Sequence, residues 1–299
     1  MNRRDAIKTL ASAAVATATP WSRVDAQQAF RFGYAAITWG GNDRQAMADI
    51  EAVGFRGIQL RTAAVDAFAE RTSELKELLA RHHLTLVALS SGNLGIDPAL
   101  EAEEMARHTR HARFVREVGG HYLQIIDSRP KRAISAGDYA AMGRRLTELG
   151  KRTADIGIPL GYHHHMGSLG EAPDEIERIL TAVDPHYVKL ELDVAHYLQG
   201  GGDPAAAIRT YGSQILFLHL KDVEPRIPPA GEVPPRPYRF VELGRGRVDL
   251  PGVIRALGEV AFKGWIVIEL DAVPDGARSP KEAAQLNHRY VTERLGLTI

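Results

Sequence analysis

From residue 30 onward, short apolar runs alternate with longer segments in which apolar residues recur every three or four positions, and the pair repeats eight times. The apolar runs, at 30–37, 57–61, 84–90, 121–127, 158–165, 188–193, 215–221 and 265–271, predict strands. Helical spacing fills the gaps, as at 71–82, 99–118 and 138–155. Strict alternation of strand and helix predicts an α/β fold with a parallel sheet covered by helices, and eight units in about 270 residues fit a closed (β/α)8 TIM barrel. A doubly wound open sheet is the alternative; the absence of a glycine-rich phosphate turn after the first strand speaks against it. No linker or shift of composition divides residues 27–299, which are expected to form one barrel domain. One segment interrupts the rhythm. Residues 223–240 carry Pro225, Pro228, Pro229, Pro234, Pro235 and Pro237, which forbid a helix and predict a long loop after the seventh strand, either a lid over the barrel mouth or a surface insertion.

Alternation along a strand also assigns faces, because the outside of a barrel is covered by helices and must be apolar. In the sixth strand Val188, Leu190 and Leu192 face outward, which leaves Lys189, Glu191 and Asp193 inside. In the seventh, Leu216, Leu218 and Leu220 face outward and His219 and Lys221 inward; in the eighth, Ile266, Ile268 and Leu270 face outward and Glu269 and Asp271 inward. The fifth strand ends in Gly161-Tyr162-His163-His164-His165-Met166-Gly167-Ser168. With Ile158, Leu160 and Tyr162 outward, His163 and His165 point in and His164 away. His163, Asp193, His219 and Glu269 then lie at the ends of four consecutive strands, where barrel enzymes keep their chemistry. Charges converging inside a barrel need pairing or a metal. This mixed imidazole and carboxylate set suits one divalent ion, with Mn2+ foremost and Co2+, Fe2+, Ni2+, Zn2+ or Mg2+ as alternatives. A buried ion-pair network without metal is the other possibility.

Composition adds limits. The chain has 299 residues, no cysteine, and 37 basic and 37 acidic residues. Residues 1–26 differ from the rest: Asn2-Arg3-Arg4-Asp5-Ala6-Ile7-Lys8 precedes an Ala-rich run to Thr19 and a small-residue site at Val24-Asp25-Ala26. This resembles a twin-arginine export signal and predicts a periplasmic protein that folds before export; the stretch is too short and too rich in Ala and Thr for a stable membrane span. Without Arg3, Arg4, Lys8, Arg23, Asp5 and Asp25, 33 basic and 35 acidic residues remain. That balance argues against a nucleic-acid binder, which would need a basic face.

The motifs Tyr162-His163-His164-His165-Met166-Gly167, Asp193-Val194-Ala195-His196, His219-Leu220-Lys221-Asp222, Leu243-Gly244-Arg245-Gly246-Arg247-Val248-Asp249 and Val267-Ile268-Glu269, in this order, resemble the xylose isomerase-like barrels. That superfamily includes sugar isomerases, ketose epimerases and inosose dehydratases, and the first motif is similar to the inosose dehydratase pattern. The resemblance implies a divalent metal on His163, Asp193, His219 and Glu269, with His196 near a substrate hydroxyl. Many relatives carry Glu where His163 stands, so His165 or Glu171 remains an alternative ligand. Gln59 stands where relatives often have Glu, and Arg245 replaces an acidic residue.

A metal gripping a carbonyl oxygen acidifies the neighbouring C–H, and a base removes the proton. Glu269 or His163 is the expected base, with Lys221, His165 and His196 placed for proton return or hydroxyl recognition. Gln59, Arg245 and Trp39 are further substrate-binding candidates, Trp39 and Tyr34 for stacking on a sugar ring. Lys221 pairing with Asp222 is the structural alternative for that lysine. An isomerase or epimerase of a keto-sugar or polyol stands first. A dehydratase or lyase of inosose or 3-keto-glycoside type stands second, and a non-catalytic exported sugar-binding barrel third. A homo-oligomer is compatible with the sequence.

Overall fold

Among the described residues ten strands form in chain order: β1 (Arg31–Ala35), β2 (Gly57–Arg61), β3 (Thr85–Leu94), β4 (Tyr122–Asp127), β5 (Leu160–His163), β6 (Val188–Asp193), β7 (Ile215–Leu220), β8 (Asp222–Pro225), β9 (Tyr238–Val241) and β10 (Trp265–Ile268). They belong to a computed structural model that describes residues 30–226, 236–274, 276 and 278–299. The export signal expected over 1–26 lies outside the described residues. Strands β1 to β7 and β10 pair in parallel into a closed barrel, and β10 closes it on β1 with Phe32 opposite Ile266 and Tyr34 opposite Ile268. Closure decides for the barrel over the open sheet. Among the described residues no helix is long and apolar enough to cross a membrane.

Outward strand residues such as Phe32, Ile58, Leu60, Leu123, Leu160, Leu190, Leu218 and Ile266 are buried beneath the helices, each stabilising by roughly 1.5–3 kcal/mol. Helices Thr72–Arg81, Glu101–Val118 and Ala136–Ile156 fall where the apolar period predicts them. Ser135 starts the last of these: its backbone N–H donates to Asp138 at 2.8 Å, and Arg132 grips the same carboxylate through two bonds of 2.7 Å. Gly157 ends it at φ 81°, a left-handed conformation that favours glycine.

Inside the barrel, Ala35, Val87, Ala88, Phe217, Trp265 and Val267 form an apolar floor, with Tyr122 stacked on Phe217 at 5.5 Å between centroids. Gly57 is required there, because a Cβ would lie 2.7 Å from both Trp265 and Val87. Leu216, expected on the outer face, instead packs against this floor; the register of β6 against β7 shifts between Leu190 and Glu191, which changes the phase at the start of β7.

The strands expected at 158–165 and 265–271 leave the ladder earlier, at His163 and Ile268. His165, Glu269 and Asp271 therefore stand just beyond strand ends, where the backbone turns into the mouth loops. The loop expected over 223–240 is partly structured: β8 and β9 form an antiparallel hairpin, Asp222 opposite Val241. Extended backbone satisfies its own hydrogen bonds without the N–H groups that proline lacks, so a hairpin base tolerates what a helix could not.

A second buried polar group lies behind β3. His108 Nε2–H donates to the Asn93 carbonyl at 3.1 Å, so its Nδ1 accepts from the Ser91 hydroxyl at 2.7 Å. The Ser91 oxygen in turn accepts from His111 Nδ1–H at 2.7 Å. Burial, helped by Arg107, pushes His108 down to about 3 from its ordinary 6.5. The unfolded chain therefore binds the extra proton first, and stability is expected to fall as pH drops from 6.5 toward 3, by at most about 1.4 kcal/mol per pH unit from this group. Urea unfolding at a series of pH values checks this; a His108→Asn variant should show a shallower dependence over the same range.

Candidate metal centre and active site

Asp193 is placed by two elements at once. It ends β6 and caps the helix Val194–Gln199: its Oδ1 accepts the backbone N–H of Ala195 at 2.8 Å and of His196 at 2.9 Å. The cap fixes the carboxylate, and Oδ2 is left buried with no hydrogen-bond partner. His164, facing away from the barrel as expected, accepts the Asp193 backbone N–H at 3.3 Å through Nε2 and braces the same turn.

Three more donors meet Asp193. His163 at the end of β5 and His219 on β7 bring ring nitrogens to within 4.8 Å of one another and of an Asp193 oxygen. His219 Nδ1 is 3.6 Å from Asp193 Oδ2, 3.5 Å from Glu269 Oε2 and 3.2 Å from Glu191 Oε1. His219 Nδ1, Asp193 Oδ2 and Glu191 Oε1 are buried without a hydrogen-bond partner, and His163 Nδ1 lies 2.5 Å from Glu191 Oε2. Buried polar atoms gathered at one point without hydrogen bonds are costly, and a cation bound among them would satisfy them. The chemistry of the set, imidazole nitrogens with carboxylate oxygens, fits one divalent metal ion. The structure thus brings together the four residues expected as ligands.

The electrostatics agree. Burial opposes a charge on His219, yet Glu191, Glu269 and Asp193 hold its imidazolium up to about 9. Burial likewise works against a charged Glu269, but His219 and Lys221 keep it down at about 2. Lys221, fully buried, donates to Glu269 Oε1 at 2.8 Å and to Asp271 Oδ1 at 2.5 Å, with Asp193 Oδ2 at 3.8 Å. Against its desolvation, these carboxylates hold its ammonium well above the usual lysine range. Phe240 of β9 lies over that ammonium at 3.9 Å and packs edge-on against His196 at 5.0 Å, so the hairpin base roofs the site.

A second donor group, His163, His165 and His196, also lies within ligand range, but hydrogen bonding removes His196 from it. Nδ1 of His196 accepts the Met166 backbone N–H at 3.3 Å, so a neutral His196 carries its proton on Nε2 and offers the site a donor. His165 is the reverse case. Its Nδ1 lies 2.7 Å from the Met166 carbonyl, which can only accept, so Nε2 keeps the lone pair. His165 is partly exposed, and burial together with His163 and Lys221 lowers its pKa, which leaves it neutral near pH 7. The loop carrying His165 is tied to the barrel by Asp127, whose Oδ2 takes the Gly170 N–H at 2.6 Å and the Tyr162 hydroxyl at 3.3 Å.

Several expectations give way. Gln59 lies beneath His219 with both ends of its amide engaged, Oε1 at 2.8 Å from His219 Nε2 and Nε2 donating to Gln124, so it supports the site instead of binding substrate. Trp39 donates its indole N–H to Asp49 at 2.9 Å and packs edge-on against Tyr34 at 5.7 Å, and Tyr34 is fully buried with Asn287 on its hydroxyl, so both aromatics are core. Arg245 pairs with Glu242 at 2.6 Å, the carboxylate that also holds Arg278. Its turn is folded on Asp222, which accepts the backbone N–H groups of Gly244, Gly246 and Val248 and is therefore not the partner of Lys221. Glu171 accepts the Gly167 N–H at 2.7 Å and braces the His165 loop instead of reaching the metal donors. Glu269, shared between Lys221 and the cation site, and His163, aimed at that site, are poorly placed as free bases. Glu191 and Gln124 were missed as site residues, although alternation already turned Glu191 inward.

A family model described as a xylose isomerase-like TIM barrel matches residues 47–292. The rhizopine catabolism protein MocC of Rhizobium meliloti is 30% identical over 266 residues, covering 86% of this chain and 76% of its own. An inosose dehydratase of Clostridium beijerinckii is 26% identical, covering 89% and 97%. Among solved structures, the IOLI protein with a bound zinc atom superposes with a TM-score of 0.75 at 19% identity, covering 88% of this chain and 97% of that one. D-psicose 3-epimerase from Clostridium cellulolyticum gives 0.70 at 17%, covering 90% and 99%. At those identities the two structures speak for the fold alone.

Proposed function

The chain belongs to the xylose isomerase-like TIM barrel family, and from that premise we propose that it is a divalent-metal enzyme that dehydrates a cyclic keto-polyol of the inosose class. The observation that carries the proposal is the convergence of His163, Asp193, His219 and Glu269 beside a neutral, accessible His165. Inosose dehydratases among the curated relatives, aligned over nearly their whole length, favour dehydration over the isomerase or epimerase that the sequence put first. Both outcomes share proton abstraction next to a carbonyl.

Those four residues would hold a divalent cation, which would supply a Lewis acid for the substrate carbonyl, and the donor set suits Mn2+, Co2+, Fe2+, Ni2+ or Zn2+ better than Mg2+. His165 Nε2 takes the proton from the adjacent carbon. When the C–O bond of the β-hydroxyl breaks, the same imidazolium returns that proton to the departing oxygen, and water leaves. The Lys221 ammonium and the His196 Nε2–H face the growing negative charge as fixed donors. Phe240 and the hairpin base exclude water from one side. Export through the twin-arginine segment belongs to the same proposal, and it would place the substrate in the periplasm.

Mass spectrometry of a panel of inososes incubated with the Mn2+-loaded protein tests the reading: loss of one water, abolished by chelation, supports dehydration, and an unchanged mass with every substrate contradicts it. His165→Asn is expected to lower kcat by about 10²–10⁴-fold while Mn2+ affinity measured by calorimetry stays as in the parent, because the cation site on His163, Asp193, His219 and Glu269 does not use the His165 lone pair.

A further inference from the structure

Beneath the metal donors runs a closed chain of side chains. Gln124 Nε2 donates to Glu191 Oε2 at 2.7 Å, Gln59 Nε2 donates to Gln124 Oε1 at 3.0 Å, and Gln59 Oε1 lies 2.8 Å from His219 Nε2. Glu191, Gln124, Gln59 and His219 are all buried, at 2% exposure or less, so no water competes for these bonds.

The direction of the chain is set at one end. A carboxylate accepts only, so Gln124 must turn its NH2 to Glu191 and its carbonyl to Gln59. Gln59 must then donate to Gln124, which turns its own carbonyl to His219. That carbonyl needs a donor, and His219 Nε2 has to carry hydrogen. Only Nδ1 is left for a cation. We propose that Glu191, Gln124 and Gln59 form a positioning relay whose polarity fixes the His219 tautomer and so delivers Nδ1 as a metal ligand. The proposal rests on the reading of His219 as a ligand.

Gln124→Met cuts the relay without touching a donor atom. Isothermal titration of the full chain with Zn2+ is expected to show affinity about 10–100-fold weaker, the usual effect of losing an outer partner of a ligating histidine. Gln59→Glu makes the relay unnecessary, since a carboxylate accepts the Nε2–H whichever way Gln124 points. In that background Gln124→Met should change Zn2+ affinity less than about threefold. Nitrogen-15 shifts of the His219 ring in the zinc-loaded parent should report a protonated Nε2 and a metal-bound Nδ1. An equal loss in both backgrounds, or a protonated Nδ1, overturns the relay while leaving the metal centre standing. Failure of the parent to bind Zn2+ overturns both.

Discussion

Asp193→Asn is expected to lower turnover by about 10²–10³-fold or more and to weaken Mn2+ binding beyond the 10–100-fold typical of an outer partner, with the metal-free fold nearly unchanged. The reason lies in the two jobs of one carboxylate. Oδ1 caps the helix Val194–Gln199 through the Ala195 and His196 N–H groups, and an asparagine Oδ1 keeps that cap, since Asn is as good a capping residue as Asp. The other position changes from an unpartnered oxygen aimed at His163 and His219 to an NH2 group that repels a cation. Calorimetry with Mn2+, steady-state kinetics and thermal melting in EDTA separate the two jobs. A variant that lost metal and fold together would show that the cap, and not the ligand, dominates this position.

Lys221→Met acts in the opposite way, on the fold before the chemistry. The ammonium bonds Glu269 at 2.8 Å and Asp271 at 2.5 Å and is fully buried. Removing one partner of a buried ion pair typically costs ~3–5 kcal/mol because the other charge stays buried. Asp271 is 32% exposed and can turn to water, which offsets part of that cost, but Glu269 has only the cation site left. A fall of roughly 10 °C in Tm is expected for the metal-free protein. Saturating Mn2+ should recover much of it, since a ligand that binds only the folded state stabilises it in proportion to its occupancy. Melting curves with and without Mn2+ decide the matter; a metal-free Tm equal to the parent's would mean that Glu269 and Asp271 do not depend on Lys221.

The strands, most of their inward faces and the four converging side chains were legible because alternation on a helix-covered sheet leaves little freedom: with Leu190 and Leu192 outside, Glu191 and Asp193 must be inside. The same rule places residues around the barrel but does not say which of them touch. Glu191 was inward from the start, yet its approach to His163 and His219 depends on how two β6 layers stack against β5 and β7. Gln59 and Gln124 meet although 65 positions separate them in the chain, a distance no periodicity spans. Lys221 turned to Glu269 and Asp271 because Asp222 was already claimed by the turn from Gly244 to Val248. Tyr34 lies on the outer face of β1, and Trp39 ends the 3-10 turn Ala36–Trp39 beyond the strand, where the helix Asp43–Val53 and its Asp49 hold the indole.

Proton NMR in D2O, with the zinc-loaded protein and a panel of inososes and 3-keto-glycosides, tests whether these donors hold a cation over which a keto-polyol is enolised and loses water. An unsaturated product is expected, absent after chelation and absent with Asp193→Asn. Deuterium entering next to the carbonyl of a saturated product would retain enolisation and make the protein an isomerase or epimerase. No exchange and no product with any substrate, zinc being bound, would contradict that chemistry and leave a barrel that binds its sugar without transforming it.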